Sequence, residues 1–438
     1  MKILVLGSGA REHAIITALL SEEVTHEITC APGNAGIAED VPCVQISATD
    51  PAACAHLAAG LEVDLVVVGP EAPLVAGVAD AVREQGIPVF GPDAAAAALE
   101  GSKTFAKRIM DAAGVPTGRA VRAATLLDAE TALDDFGAPY VVKADGLAAG
   151  KGVIVTHDRD AAVEHASYWL AHGDVLIEEF LDGEEVSLFV LSDGHDVLPL
   201  SPAQDFKRLR NGDAGPNTGG MGAYSPLPWL AEQFGTERAF VDECLETIAI
   251  PTIRQLESEG TPFVGLLYCG LIVTAKGIRV IEFNARFGDP ETQVVLPRLV
   301  TPLSDLLYAA AVGGLGVLSR PEFSSDAVIT VVLASENYPD DPITGRPLGG
   351  LERASEVEGV HLAHAATTAD PDQSGTLLAS GGRVLSVVAR GTSFGQARQR
   401  AYSALGEMWL EGGQFRTDIA QKVDESHTVI TDPWAGRS

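Results

Sequence analysis

The sequence predicts a multidomain α/β protein, and three observations carry that reading. Residues 1 to about 100 alternate apolar strands with helical stretches, the βαβ rhythm of a parallel sheet with right-handed crossovers. From residue 140 the rhythm tightens to closely spaced strands around one helix. After about residue 325 two further strands and an amphipathic helix begin a new unit. A chain of 438 residues that is 46% hydrophobic has the length for roughly two to four cores.

Taken in order, 2–6 is a buried strand, Gly7-Ser8-Gly9 turns, and 11–20 is a helix. Residues 27–31 make a second strand, followed by a loop over Pro32-Gly33-Asn34-Ala35-Gly36. The apolar run 65–68 is a third strand ending in Gly69-Pro70-Glu71, 76–85 is helical, and a short strand lies within 88–92. Ligands of such sheets sit beyond the carboxyl ends of the strands, where glycine-rich loops occur here. Residues 93–110 are two helices jointed at Gly101-Ser102-Lys103. Strands at 140–144 and 153–155, a helix at 159–171 with Val163, Ala166 and Leu170 on one face, and strands at 175–180 and 185–191 form a small α+β lid. The Gly-, Asn- and Asp-rich stretch 204–222 reads as a functional loop. A long helix spans 237–258, and strands follow at 263–267, 271–274 and 277–283. Thr301-Pro302 opens a helix by the cap and first-turn rules, and Gly313-Gly314 closes it. Strands at 327–333 and 384–389 precede a helix at 394–408, whose Phe394, Ala397, Ala401, Leu405 and Met408 make a core stripe. His361 and His364 have a metal-ligand spacing but read as loop residues without acids nearby.

Sixty acidic against 30 basic residues give a formal net charge of −30. Such a surface repels nucleic-acid phosphates and anionic membranes, so an anion site needs local Lys, Arg and backbone donors. The five cysteines are scattered without a CxxC pair, as expected of a reducing cytosol with neither disulfides nor zinc. MKILVLG enters a strand without a signal-peptide layout, and no apolar window approaches ~18 residues. The expectation is a cytoplasmic protein with no nucleic-acid or membrane partner.

The chemistry concentrates in Ile281-Glu282-Phe283-Asn284-Ala285-Arg286-Phe287-Gly288-Asp289-Pro290-Glu291-Thr292-Gln293. Strand alternation puts Glu282, Asn284 and Arg286 on one face. A hard cation such as Mg²⁺ accepts the first two as oxygen ligands, and the arginine can clamp a phosphoryl or carboxyl oxygen. The plainer alternative is a Glu/Arg pair on a surface strand. The loop from Asp145 to Gly152 falls short of a P-loop, with three residues between Gly146 and Gly150 and Gly152 where Ser or Thr would stand. It can still fold over phosphates. Lys143, in an apolar strand, needs an anionic partner such as a nucleotide α-phosphate, or must snorkel to solvent. Glu178-Glu179-Phe180-Leu181 reads as a hinge strand whose backbone pairs with an adenine edge, with Glu185 accepting from ribose hydroxyls, or else as a solvated edge. Gly7-x-Gly9-x-x-Glu12 lacks the third glycine of a dinucleotide fingerprint. It suits a phosphate at the helix N-terminus, with Arg11 and His13 near and Asn34 and Glu71 on a sugar, or simply a tight turn. Lys207 and Arg208 bring positive charge to the 204–222 stretch.

GSGAREHA (7–14), PGNAG (32–36), GPEAPL (69–74), LEGSKTFAK (99–107), VVKADGLAAGKGV (141–153), IEEFLDGEEVS (177–187), QDFKR (204–208), GPNTGGMGAYSP (215–226) and IEFNARFGDPETQ (281–293) occur in this order. Together they resemble the glycinamide ribonucleotide synthetase family of ATP-grasp ligases. The last hundred residues match in layout more than in motif. The resemblance implies an ATP-grasp fold: an N-terminal Rossmann-like substrate domain over 1–100, a catalytic domain over 101–325 with its lid at about 120–190, and a C-terminal α+β domain over 326–438. It implies that ATP, glycine and 5-phosphoribosylamine give glycinamide ribonucleotide, ADP and phosphate through glycyl phosphate, in purine biosynthesis. Glu282 and Asn284 would hold Mg²⁺ or Mn²⁺. Arg286 and Asp205 would stand nearest glycine and the moving phosphoryl, assisted by Lys207. Lys103, Lys143 and the loop glycines Gly150 and Gly152 would meet the ATP phosphates, and Glu178, Glu179, Phe180, Leu181 and Glu185 the adenosine. Gly9, Asn34 and Glu71, with Gly288-Asp289-Pro290, would hold the phosphoribosylamine. No strong general base is required if the amine attacks neutral. The expected partners are these small molecules, and the expected state is a monomer. Two positions depart from the family pattern: Ala10 replaces a glycine and Phe206 a histidine. Another ATP-grasp carboxylate–amine ligase or a non-catalytic nucleotide-binding module would lack the PGNAG and GPEAPL loops or the full Glu282/Asn284/Arg286 face.

Overall fold

The computed structural model describes residues 1–146, 152–424, 430 and 432–434. Its first sheet is parallel, with Lys2–Gly7 between Glu27–Pro32 and Leu65–Val68, and Val89–Phe90 outside the latter. Ile3, Leu4, Val5 and Leu6 are all fully buried, as a strand covered on both faces by helices must be. The helix expected at 76–85 is instead two, Glu71–Val75 and Val78–Glu84, parted at Gly77. Pro70 stops the preceding strand, so the first of them begins as soon as the chain leaves the sheet. The joint in 93–110 falls at Ser102, whose hydroxyl caps Lys103–Ala113 by accepting from Phe105 N–H.

The small antiparallel sheet differs from expectation. Its order is Ala120–Ala123, Val175–Glu178, Tyr140–Ala144, Val153–Thr156. The stretch 185–191 is not part of it. Gly183–Asp193 pairs along its whole length with Val264–Thr274, and Val186 to Leu191 are buried there. The fourth strand is Ala120–Ala123, whose exposed Val121 and Arg122 give no apolar alternation to read. The helix Leu126–Phe136, capped by Thr125, also went unforeseen. Ala123, Leu133, Val142, Ala162 and Ile177 form a core separate from that of the body.

In the central sheet, the two strands expected at 263–267 and 271–274 are one, Val264–Thr274, which absorbs the glycine through a register shift at Gly270/Leu271. The long helix over 237–258 contains a π-helical turn at Leu245–Ala249. Ile250 N–H bonds Leu245 O there, and the wider turn accommodates Pro251, which has no amide to donate. Thr301 does not cap Leu303–Val312. Its hydroxyl accepts from Glu322 N–H at 2.8 Å, while Glu22 takes the Ser304 amide and hydroxyl at 2.8 and 2.6 Å. Gly313 ends that helix in the left-handed conformation, as expected.

The 204–222 stretch is mostly short strands, not irregular loop: Arg208–Arg210 and Ala214–Asn217 make a hairpin. Gln204–Asp205 and Gly222–Ser225 join a five-stranded sheet with Ala327–Ala334, Arg383–Gly391 and Val360–His364. This sheet therefore borrows strands from the middle of the chain. The stripe on Phe394–Glu407 is buried against it, as its periodicity required. His361 and His364 lie on a strand and not in a loop, packed on His13, which bonds Asp40 at 2.8 Å. Burial lowers both to about 4, and no described group of three or more His, Cys, Asp or Glu is arranged to hold a metal. No described helix is long and apolar enough to cross a membrane.

Candidate active site

The site is organised by Gly277–Asn284 and the turn that follows it. This strand pairs with Val264–Thr274 on one side, setting Gly270 opposite Glu282 and Tyr268 opposite Asn284. Its other edge touches the chain leading to the small sheet through one bridge, Thr117 to Val280. Phe283 is buried in the core, so Glu282 and Asn284 share the opposite face, as the alternation predicted, but the strand ends at Asn284 and Arg286 stands in the bend beyond it. Neither the Glu282 carboxylate nor the Asn284 amide has a hydrogen-bond or ion-pair partner among the described residues.

Arg286 is the opposite case. Its Nε lies 3.3 Å from Glu71 Oε2, its Nη2 3.0 Å from Glu100 Oε1, and its Nη1 donates to Phe287 O at 3.3 Å. Burial would raise the Glu71 carboxyl, but Arg286 and Arg11 outweigh it and hold it low. Glu71 reaches from the first sheet to a guanidinium, so its part in any sugar contact runs beside Arg286. Asp289 is held low in the same way: burial is outweighed by Arg383 and Arg11. Arg383 donates to Gly219 O and Asp289 O at 2.7 Å each and lies 3.3 Å from Asp289 Oδ2. Pro290, joined to Asp289 by a cis bond, packs on Gly220, whose added Cβ would lie 2.5 Å from Pro290 Cδ. Gly288 similarly fits against the Glu291 carboxylate, which accepts from Tyr268 and Ser187 hydroxyls at 2.5 and 3.1 Å.

The lysines find protein anions. Lys143 is buried and does not snorkel to solvent: Glu178 Oε2 lies 3.0 Å from its Nζ, which also donates to Ile281 O at 3.2 Å. Burial opposes its charge, but Glu178 and Glu282 outweigh it and raise the ammonium above its ordinary value. Lys107, 3.3 Å from the same Glu178 oxygen, is lowered by burial. Lys103 donates to Gly146 O at 3.0 Å, at the start of the glycine loop. Gly150 lies outside the described residues, while Gly152 is buried and its carbonyl accepts from Ala144 N–H at 2.8 Å.

Glu178 ends its strand, so 179–182 is an extended connection between two sheets and not the strand continuation expected. Glu179 turns to Arg119 at 2.7 Å on the exposed side, and the geometry does not bring its carboxylate to the cluster. Phe180 is half exposed. Leu181 approaches Gly118. Glu185 receives Lys207 at 2.5 Å, and Lys207 also bonds Asp205 at 2.9 Å. Burial, helped by Glu291 and Glu185, pushes Asp205 up to about 7 in spite of Lys207.

The first glycine loop departs most from expectation. Glu12 places its own carboxylate at the helix N-terminus, accepting from Gly9 N–H at 2.6 Å and from Arg11 at 2.6 Å. A Cβ on Gly69 would stand 2.0 Å from Glu12 Oε1, so only glycine permits this approach. The place read for a phosphate is thus filled by a side chain. Asn34 is a bolt: its amide donates to Ser8 O and His364 O at 2.8 Å each, and its oxygen accepts from Ile37 N–H at 2.9 Å. His13 faces Asp40 and the C-terminal strand instead of the loop. Ala10 is the first residue of its helix, a backbone that alanine adopts freely. Phe206 stacks under Arg416 at 4.8 Å, so the side chain at that departure faces a structural arginine.

Glu12, Glu100, Tyr268, Glu291 and Arg383 complete the site without having been assigned to it from sequence. A charged residue ending the alanine-rich helix Ala94–Gly101 was the available signal for Glu100.

Comparison with known proteins adds a consistent set of similarities. Family models described as the N, ATP-grasp (A) and C domains of phosphoribosylglycinamide synthetase match residues 1–100, 101–292 and 328–422. The chain is 69% identical over 423 residues to the phosphoribosylamine–glycine ligase of Leifsonia xyli subsp. xyli, covering 96% of this chain and 100% of that protein. It is 56% identical over 424 residues to the same-named protein of Streptomyces coelicolor, covering 96% and 99%. Its structure is similar to the crystal structure of phosphoribosylamine–glycine ligase from Thermotoga maritima, with TM-score 0.80, 30% identity, and 96% and 100% of the two chains covered.

Proposed function

The chain belongs to the phosphoribosylglycinamide synthetase family, and from that premise we infer an ATP-dependent carbon–nitrogen ligase of purine biosynthesis that joins glycine to 5-phosphoribosylamine. A carboxylate is a poor electrophile, so the acid must be activated. The γ-phosphoryl of ATP passes to a glycine carboxylate oxygen as its bond to the ADP oxygen breaks, giving glycyl phosphate. The ribosylamine nitrogen then attacks the carbonyl carbon, phosphate leaves, and the nitrogen loses a proton to water. The protein's contribution to such transfers is positioning and charge neutralisation.

The observation that carries the residue assignment is a contrast at one strand end, where Glu282 and Asn284, without a hydrogen bond or close ion pair among the described residues, are followed by a fully tethered Arg286. Two hard oxygen donors without protein partners suit Mg²⁺ or Mn²⁺, and the ion would neutralise charge on the β- and γ-phosphates. Two protein oxygens leave most of the coordination shell to phosphate and water. Arg286, with Asp205 and Lys207, would receive the glycine carboxylate and the moving phosphoryl. Lys143 and Lys103 would reach the ATP phosphates under the 145–152 loop, exchanging their present partners for them. Glu178, Phe180, Leu181 and Glu185 would frame the adenosine, with Glu179 serving through its backbone. The 288–290 turn would hold the ribosylamine, with Gly9, Asn34 and Glu71 shaping the loops around it. The proposed working units are 1–100, 101–325 and 326–438, in a cytoplasmic monomer.

The test is phosphate release from ATP in the presence of glycine and freshly made phosphoribosylamine. Release should require both co-substrates and yield glycinamide ribonucleotide in equal amount. Release indifferent to the amine would defeat the reading.

A further inference from the structure

We propose that Glu100 is a positioning residue of this reaction, a carboxylate that fixes the backbone at Ala285 and the guanidinium of Arg286 together. The inference rests on the reading that Arg286 works at the glycine and phosphoryl site. Glu100 ends the helix Ala94–Gly101 and is buried. One oxygen lies 3.0 Å from Arg286 Nη2, and the other accepts the Ala285 N–H at 2.7 Å. Ala285 separates Asn284 from Arg286, so a single carboxylate sets the direction of both neighbours. Glu71 holds the other side of the guanidinium at 3.3 Å, leaving little rotational freedom. Burial raises the Glu100 carboxyl. Both of its partners are donors, however, and Arg286 gains charge stabilisation from it. The helix carrying Glu100 also leads through Ser102, bonded to Asp145, to Lys103, bonded to Gly146. The clamp on Arg286 and the lysine at the root of the glycine loop are therefore three residues apart, across the joint at Ser102. A carboxylate here does not touch the reacting atoms; it shapes the group that does.

The test is a double-mutant cycle on the full chain, combining Glu100→Gln with Arg286→Lys. Glu100→Gln should lower kcat at least about tenfold, because one misdirected contact costs that much in a preorganised site. Its ATP affinity by calorimetry and its melting midpoint should stay near those of the parent. The double variant should lose less than the product of the two single losses, since part of Glu100's effect runs through the Arg286 side chain and the rest through the backbone it holds at Ala285. Parental kcat in Glu100→Gln, or losses that simply multiply in the double variant, would overturn the proposal. Parental activity in Arg286→Lys would instead sink the role of Arg286 itself, a distinct failure. If the glutamine chain does not fold, Glu100→Asp replaces it in the same cycle, because it keeps the buried charge while withdrawing it from both donors, and the same outcomes decide.

Discussion

The two ends of the segment 282–291 are built on opposite principles. At 282–284 the polar groups make no hydrogen bond or close ion pair among the described residues, whereas at 286–291 every charged group is tied: Arg286 to Glu71 and Glu100, Asp289 to Arg383, Glu291 to Tyr268 and Ser187. Groups left open are ones whose partner arrives with the substrate. Groups tied in advance do not reorganise when it arrives, which is where an enzyme gains most from electrostatics. On the proposed reading, the difference would separate a metal-and-nucleotide end, assembled on binding, from a pre-tied end that receives the second substrate.

The comparison breaks first at its open end. Glu282→Gln should cut turnover by at least about a hundredfold, because metal charge stabilisation is lost. Its melting midpoint should move little, since no hydrogen bond or close ion pair is removed and Lys143 keeps Glu178 at 3.0 Å. Turnover near the parent at saturating Mg²⁺ would show that the carboxylate is idle.

At the tied end, Asp289→Asn should raise the KM for phosphoribosylamine by roughly tenfold or more, the worth of a charged hydrogen bond. It should also lower the melting midpoint, because the partly buried Arg383 is left beside a neutral amide. An unchanged KM would detach the turn from the second substrate.

How far these two ends were legible in the sequence depended on whether the signal was local. Alternation along 277–284 gave the shared face of Glu282 and Asn284, because period two needs nothing but the strand itself, while Arg286 lies past the strand end. The parallel first sheet and the stripe of the 394–407 helix were legible for the same reason. What failed was non-local. Strand 120–123 carries no apolar pattern and becomes a strand only because Val175–Glu178 offers it an edge. The carboxylates Glu12 and Glu100 find their targets across gaps of 57 and 185 residues, at Gly69 and Ala285, distances that no window of sequence contains. Lys143 was correctly read as needing an anion, but the anion it has here is a carboxylate from the adjacent strand.

That partner makes Lys143 intermediate between the open and the tied ends. Lys143→Met should weaken ATP affinity about tenfold by calorimetry, the scale of one charge-assisted contact. The fold should tolerate it, because Lys107 remains beside Glu178 at 3.3 Å. Unchanged affinity would place Lys143 wholly among the tied groups, as a structural ion pair.

The smallest expected effect concerns a group that is tied at a cost. Glu71 and Asp289 are held low by their arginines, whereas Asp205, like Glu100, is pushed up by burial, to about 7, with Glu291 and Glu185 adding to it. The sign follows from proton counting. Between the ordinary aspartate value near ~4 and about 7, the folded chain binds a proton at Asp205 that the unfolded chain has released, so this group's contribution to stability falls as pH rises through that window. Asp205→Asn removes the ionisation while Glu185 still holds Lys207. Relative to the parent, the variant should therefore gain in melting midpoint on going from pH 5 to pH 8, by roughly a few degrees at most in a chain this long. Buffer scans of both proteins without ligands measure it directly. A variant that loses ground as pH rises would mean that Asp205 is an ordinary stabilising carboxylate, and that the tied end is uniform after all.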